Sequence, residues 1–121
     1  MNTNEDLLVV NGEDMSRESL GHFELLVLLA VLRVGDEAYG VPIGQAIEHS
    51  SGKRVILASV YNTLERLEEK GMIRSTIGQP TRERGGRAKR YFAITTAGRR
   101  EVSAAKKALT LLWRGIPVGE G

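Results

Sequence analysis

The spacing of apolar residues changes abruptly within residues 58–90, and this change limits the folds open to the chain more than any other feature. Val60, Leu64 and Leu67 recur at intervals of four and three, so they share one face of a helix. Gly71 then offers a residue that accepts the positive φ often needed at a helix C-terminus. After this glycine the period falls to two. The stretch therefore predicts an amphipathic helix that leads directly into a β-strand.

Two short strands joined by a basic turn follow this helix. Residues 72–79 and 88–95 both alternate with a period of two, and Gly85–Gly86 between them permit a tight turn. Residues 74–90 carry six basic side chains against one acid, a net charge of +5. A helix followed by such a hairpin is the arrangement of a winged helix, and the charge of the wing suits phosphate groups.

Two further helices are predicted before this unit. The first, residues 20–34, is apolar nearly all round and must be enclosed on several sides, which is difficult in so small a domain without a second subunit. The second begins at Tyr39–Gly40, tolerates Pro42 in its first turn and stops at Gly52. It is the positioning helix of a helix-turn-helix motif, and its successor is the recognition helix.

The connection between these two helices carries two finer expectations. Residues 55–57 are candidates for a short strand that pairs with the hairpin. Ser59 is expected to cap the recognition helix, because its hydroxyl oxygen can accept a backbone N–H of the first turn.

A last helix should begin after Thr95 as N-cap and run to about Trp113. Val102, Ala105, Leu109, Leu112 and Ile116 are spaced three, four, three and four residues apart, which is an a/d seam. Two heptads are too few for an isolated coiled coil, but they can form a dimer contact supported by the adjoining domain. The alternative is that this face packs against its own domain.

Composition excludes several classes of function. The 121 residues suffice for one domain, and there is no cysteine, so disulfides and thiolate chemistry are absent. His22 and His49 have no partners at ligand spacing, so neither a metal nor a cofactor is expected, and Glu68–Glu69 are interpreted as part of a solvated face. No apolar stretch is long enough to span a bilayer. We therefore expect a cytoplasmic protein without enzymatic activity or membrane contact.

The sequence closely resembles the PadR family of transcriptional regulators. The resemblance lies in FELLVLLAVLRVGDEAYGVPIGQAIE, SVYNTLERLEEKGMI and RERGGRAKRYFAITTAGR, which occur in the family's order and spacing. It covers roughly Leu20 to the C-terminus. It implies a winged helix-turn-helix fold and a homodimer on pseudo-palindromic operator DNA. It also implies repression that a small molecule or another signal relieves.

Mainly α structure with a small β-hairpin wing is thus expected, in three parts. Residues 1–19 form a flexible N-terminal extension, residues 20–94 the winged helix-turn-helix domain, and residues 95–121 a C-terminal dimerisation helix and tail. The chain is expected to bind double-stranded DNA as a homodimer and to act as a repressor. A winged-helix module that binds a protein instead of DNA is the alternative.

The candidate site residues fall into three groups. Asn62 can bond adenine bidentately and Arg66 can reach guanine or a phosphate, while the basic wing supplies attraction without sequence preference. The candidate DNA-binding residues are Tyr39, Ser59, Tyr61, Asn62, Arg66, Arg82, Arg84, Arg87, Lys89 and Arg90. The candidate dimer residues are Phe23, Leu26, Val102, Ala105, Leu109, Leu112, Trp113 and Ile116. Phe23 and Trp113 are also the aromatic candidates for an effector pocket enclosed by the dimer.

Overall fold

The computed structural model describes Val9–Val10, Glu13–Asp14 and residues 20–79 and 88–117. Its elements, in chain order, are β1 (Val9–Val10), β2 (Glu13–Asp14), α1 (His22–Val34), a 3-10 turn (Gly35–Glu37), α2 (Gly40–Ser51), α3 (Leu57–Glu69), β3 (Ile73–Ile77), β4 (Arg90–Ile94) and α4 (Thr96–Trp113). The prediction of a mainly helical chain with a small hairpin is confirmed.

The two shortest strands lie in the N-terminal extension. Val9 pairs with Asp14 and Val10 with Glu13, antiparallel to each other. The rest of residues 1–19 lies outside the described ranges. The expected flexibility of this extension therefore stays a prediction.

The core lies between α1, α2 and α3. Val60, Leu64 and Leu67 have no exposed surface, which confirms the apolar face predicted for α3. They meet Leu28 of α1 and Ile43 of α2, which are equally buried. Removing each large side chain of this kind from water contributes roughly 1.5 to 3 kcal/mol to folding. This packing fixes α3 against the two helices that precede it.

Glycine ends α3 as the sequence predicts. Gly71 has a φ of +78°. Its N–H donates to the carbonyl of Glu68 at 2.9 Å, and the N–H of Met72 donates to the carbonyl of Leu67 at 2.9 Å. These two bonds form a Schellman motif, which satisfies carbonyls that the helix leaves free and turns the chain into β3.

The first helix begins two residues later than expected. Gly21 is its N-cap, and the backbone N–H of this glycine donates to Oε1 of Glu24 at 2.9 Å. This hydrogen bond satisfies the N–H of Gly21 just before the first turn, so the helix begins after Gly21 and Leu20 stays outside α1. The predicted ends of the first two helices are confirmed, with Gly35 and Gly52 as the C-caps of α1 and α2.

Two expectations about the α2–α3 connection are wrong. The N-cap of α3 is Ile56, which makes no side-chain cap bond, and Ser59 lies inside the first turn with its N–H donating to the Ile56 carbonyl at 2.9 Å. Residues 55–57 form no strand, because the N–H of Val55 is taken by Oε2 of Glu48 at 2.8 Å. The segment beside β4 is instead the α1–α2 connection, where Phe92 donates to the carbonyl of Ala38 at 2.8 Å.

The β3–β4 hairpin and the start of α4 are tied to the end of α3. The hairpin pairs Ile73 with Ile94, continuing in register to Ile77 with Arg90. Thr95 caps α4 as predicted, accepting from the N–H of Gly98 at 3.1 Å. Its own hydroxyl donates to the Gly71 carbonyl at 2.6 Å, and its N–H donates to the Met72 carbonyl at 3.0 Å. Thr95 therefore joins α4 to the α3–β3 turn.

Candidate nucleic-acid interface

The N-terminal half of α3 presents an uncharged outer surface. Ser59 and Asn62 are exposed there, together with 40% of Tyr61. Residues 56–64 contain no charged side chain, and the acids of the helix all lie in its C-terminal half. Uncharged hydrogen-bonding groups and apolar groups are both able to contact base edges in a major groove.

Tyr39, Tyr61 and Lys89 meet at the start of α2. The ring of Tyr61 lies so close to Gly40 that a side chain at this glycine would overlap it. The Tyr39 ring packs edge-on against Tyr91 with centroids 5.7 Å apart, and Nζ of Lys89 lies 4.4 Å from the Tyr39 centroid. Three residues predicted to bind DNA are thus brought together where the start of β4 meets the helix-turn-helix.

Arg90 is held by the recognition helix. Its Nη2 donates to Oε1 of Glu68 at 2.7 Å and its Nε to Oγ of Ser75 at 3.0 Å. Ser75 in turn donates to Oε2 of Glu68 at 2.8 Å, and the guanidinium lies 5.4 Å from the Phe92 ring centre. The interpretation of Glu68 as solvated is wrong, because this carboxylate is half-buried and fully engaged. These contacts fix the β3–β4 hairpin against α3.

Arg66 points toward α1. Its Nη2 donates to Oγ1 of Thr63 at 3.1 Å, and its Nε lies 3.7 Å from Oε2 of Glu24. The Lys70 ammonium binds both oxygens of Glu24, at 3.0 and 2.9 Å. The guanidinium of Arg66 would have to leave these partners to reach a base, although 54% of its side chain is exposed.

Glu24 is the buried acid at the centre of this contact. Burial by itself raises the pKa of Glu24, but the N–H of Gly21 and the ammonium of Lys70, together with Arg66, outweigh it. The pKa of Glu24 therefore lies below its ordinary value. A charged Glu24 thus binds the end of α3 to the start of α1.

The tip of the wing lies outside the described residues. Arg82, Arg84 and Arg87, all predicted to bind phosphates, belong to residues 80–87, which the structure does not describe. Their placement stays a prediction. Arg74 at the described base of the hairpin is exposed.

The residues predicted for the dimer contact divide between two helices. Phe23 and Leu26 are half-buried on α1, and Val102 and Ala105 are half-buried in the middle of α4. The other dimer candidates are exposed, by 54% at Leu109, 72% at Leu112, 61% at Trp113 and 53% at Ile116. Ile116 lies beyond the end of α4, because the helix stops at Trp113 and so cannot continue the seam.

The two aromatic residues predicted for an effector pocket do not meet within one chain. Trp113 borders a shallow surface depression at the end of α4 that it shares with Leu109. A groove of about 330 Å³ between α1 and α2 is lined by Leu26 and Arg33 among others, and by neither aromatic residue. The predicted pocket thus depends on a second subunit.

One basic surface escaped the sequence analysis. Arg99, Arg100, Lys106, Lys107 and Arg114 are all exposed. At 100° per residue the four that lie within α4 fall on one side of the helix, next to the apolar seam. Spacings of seven residues between Arg99 and Lys106, and between Arg100 and Lys107, were the available signal.

Other chemistry finds little support among the described residues. They contain no group of three potential metal-binding acids, histidines or cysteines. None of the helices within these ranges is long and apolar enough to cross a bilayer.

Helices α2 and α3, with the β3–β4 hairpin fixed beside α3, form a winged helix-turn-helix, a fold class found in many DNA-binding regulators. The model of the transcriptional regulator PadR-like family matches residues 28–104, and the chain belongs to this family. The resemblance found in the sequence is thereby confirmed. The family is one of transcriptional regulators and not of enzymes. A comparison with curated proteins finds no significant match.

Solved structures share the fold. A PadR family transcription regulator from Clostridium difficile R20291 aligns with a TM-score of 0.62 at 18% identity, over 76% of this chain and 91% of the other. A PadR family transcriptional regulator from Eggerthella lenta DSM 2243 aligns with a TM-score of 0.60 at 22% identity, over 74% and 76%. The hsRosR protein, in the complex called hsRosR-S4, gives 0.63 at 19% identity over 84% and 79%. At these identities the likeness concerns the fold alone.

Proposed function

We propose that this protein is a cytoplasmic repressor that binds a pseudo-palindromic operator as a homodimer. Each subunit inserts the N-terminal half of α3 into a major groove, and the wing contacts the neighbouring backbone. The two recognition helices then lie about 34 to 36 Å apart, one helical turn of DNA. Binding blocks transcription until a signal relieves it.

The observation that carries this proposal is the uncharged, exposed end of α3. A buried face of Val60, Leu64 and Leu67 fixes the helix from behind, so the outer face is presented rigidly. Asn62 on that face can donate to and accept from the edge of adenine, and we assign it the main base contact. Ser59 and Tyr61 are better suited to the backbone. Arg66 has a lesser role because Thr63 and Glu24 already hold it.

The exposed end of α4 supports the homodimer. The helix has 18 residues and is about 27 Å long. Leu109, Leu112 and Trp113 in its second half leave an apolar surface open to solvent. Such a surface on one side of a helix is typical of a protein contact. We assign α1 and α4 to the subunit interface, which Leu112→Glu should open and sedimentation equilibrium should detect as a halved mass.

The base contact is tested with a duplex selected from random sequence by the wild-type protein. Asn62→Ala should weaken binding to it by about 1 to 3 kcal/mol and relax the preference at one base pair in each half-site. Glu65→Ala, an exposed change on the same helix, is the control for folding. Unchanged sequence preference in Asn62→Ala would remove this residue from the base contacts, and failure to select any duplex would refute the proposed function.

The wing is tested by the salt dependence of binding. Arg84→Ala should weaken all sequences alike and lower the salt slope by about one unit for a lost phosphate contact. Arg33→Ala removes an exposed arginine from α1 and should leave the slope unchanged. An unaltered slope in Arg84→Ala would exclude this arginine from the phosphate contacts.

An effector pocket between the subunits would place the exposed Trp113 of one chain near the half-buried Phe23 of the other. The prediction is tested by titrating aromatic compounds and following the tryptophan fluorescence. Trp113→Ala should abolish binding that isothermal calorimetry detects in the wild type. Equal binding by this variant would exclude Trp113 from the pocket.

A further inference from the structure

Ile56 occupies an unusual position at the start of the recognition helix. It is the N-cap of α3, with extended backbone angles of φ −80° and ψ 124°. Its carbonyl accepts from the N–H groups of Ser59 at 2.9 Å and Val60 at 3.3 Å. The backbone of Ile56 therefore forms hydrogen bonds with the first turn, and its side chain forms none. The side chain is 72% exposed.

Neither local stability nor solubility explains an isoleucine at this position. An N-cap favours serine, threonine, asparagine or aspartate, whose side chains accept a backbone N–H of the first turn, and isoleucine is among the poorest choices. Its exposed side chain also places apolar surface in water. Leu57 beside it is 42% exposed, so the apolar surface continues. A partner that covers Ile56 would account for both features.

The neighbours of Ile56 indicate which partner. Ile56, Ser59 and Asn62 follow at intervals of three residues and form one inclined row on the surface of α3. Two members of that row carry hydrogen-bonding groups, and the end of the row is apolar. In the major groove only thymine presents a methyl group, and apolar side chains recognise it by contact.

We propose that Ile56 reads a thymine in each half-site through contact with its 5-methyl group. The inference rests on the proposed function, because it requires α3 to enter the major groove. It adds a determinant of specificity that forms no hydrogen bond. The favoured operator then contains a thymine at a fixed offset from the base pair read by Asn62.

The test removes the methyl group and nothing else. A duplex selected from random sequence by the wild-type protein is resynthesised with deoxyuridine in place of thymidine, one position at a time. Kd is measured by fluorescence anisotropy at constant salt. Loss of one buried methyl should weaken binding about four-fold per half-site, and about fifteen-fold when both half-sites are changed.

Protein variants then assign the effect to Ile56. Ile56→Ser supplies a favoured cap and so keeps α3 intact, and it should bind the thymidine and deoxyuridine duplexes equally. Ile56→Val keeps apolar contact and should retain most of the discrimination. Ile77→Ser is the matched control, since Ile77 is 68% exposed but lies on the hairpin, and it should discriminate as the wild type does.

Three results would overturn the proposal. The first is a wild-type protein that prefers the selected duplex yet binds every deoxyuridine version equally well, a result that leaves the proposed function standing. The second is full discrimination retained in Ile56→Ser. The third is a sedimentation mass of Ile56→Ser, measured without DNA, that differs from the wild-type mass; Ile56 would then lie in a contact between subunits. Absence of any preferred duplex would instead refute the proposed function itself.

Discussion

Gly98→Ala should destabilise the protein, although alanine is the better helix former. Gly98 lies in the first turn of α4 and is buried against the α3–β3 turn. A methyl group added there would overlap the carbonyl oxygen of Met72 and lie 2.7 Å from Cγ1 of Ile94. The Met72 oxygen is a backbone atom that already accepts from the N–H of Thr95, so it has little freedom to move.

The magnitude follows from three contributions. Overpacking of this kind costs about 1 to 3 kcal/mol. Displacing α4 also weakens the two bonds from Thr95 to the carbonyls of Gly71 and Met72, each contributing about 0.5 to 1.5 kcal/mol. Helix propensity opposes this with a gain of at most about 1 kcal/mol. The free energy of unfolding should therefore fall by about 1 to 5 kcal/mol.

Equilibrium unfolding in urea measures this change, with circular dichroism as the signal and the protein concentration held constant. The concentration matters because the stability of a dimer depends on it. Ala97→Gly is the matched control, since Ala97 is exposed in the same turn and its replacement should cost only the propensity difference of at most about 1 kcal/mol. A Gly98→Ala protein as stable as the wild type, or more so, would refute the close contact between α4 and the turn.

Three further changes test other contacts. Glu68→Gln should release Arg90 and raise the salt slope of DNA binding by about one unit if the freed guanidinium meets a phosphate. The control is Glu69→Gln, which removes the same charge without touching Arg90. Equal slopes in the two variants would contradict a phosphate contact by the released Arg90. Glu24→Gln should reduce the loss of stability in acid. Because the pKa of Glu24 is lowered on folding, the carboxylate stabilises the protein above its unfolded pKa of about 4.5, and this stability disappears as the pH falls through the folded pKa. If urea unfolding of the variant from pH 7 to pH 3 matched that of the wild type, this contribution of Glu24 would be excluded. Leu64→Ala should lower the free energy of unfolding by roughly 2 to 5 kcal/mol, whereas the exposed Glu65→Ala should change it by less than about 0.5 kcal/mol; similar losses would argue against burial of Leu64.

Local patterns made much of the fold predictable. The recurrence of Val60, Leu64 and Leu67 identified the buried face of α3, and Gly71 marked its end, because both signals depend only on neighbours in sequence. Thr95 was recognised as a cap for the same reason. The start of α3 was misplaced because N-cap preferences favour serine over isoleucine. The structure places Ile56 at the N-cap without any side-chain cap bond.

Contacts between distant residues were beyond sequence reasoning. Lys70 binds Glu24 across 46 positions, and Arg90 binds Glu68 across 22, so no local period reveals either pair. As a result, Arg90 appeared only as a free charge for phosphates. The exposure of Ile56 was likewise hidden, because an isolated isoleucine beside a leucine is more often buried.

The hydrogen bonds of Thr95 couple the position of α4 to that of the recognition helix. Its hydroxyl and its N–H both hold the turn that follows the recognition helix, and Gly98 allows the closest approach. These contacts connect the start of α4 directly to the end of the recognition helix. If two copies contact each other along α4, a rotation of a few degrees at that contact would move both recognition helices away from the spacing of one helical turn of the duplex.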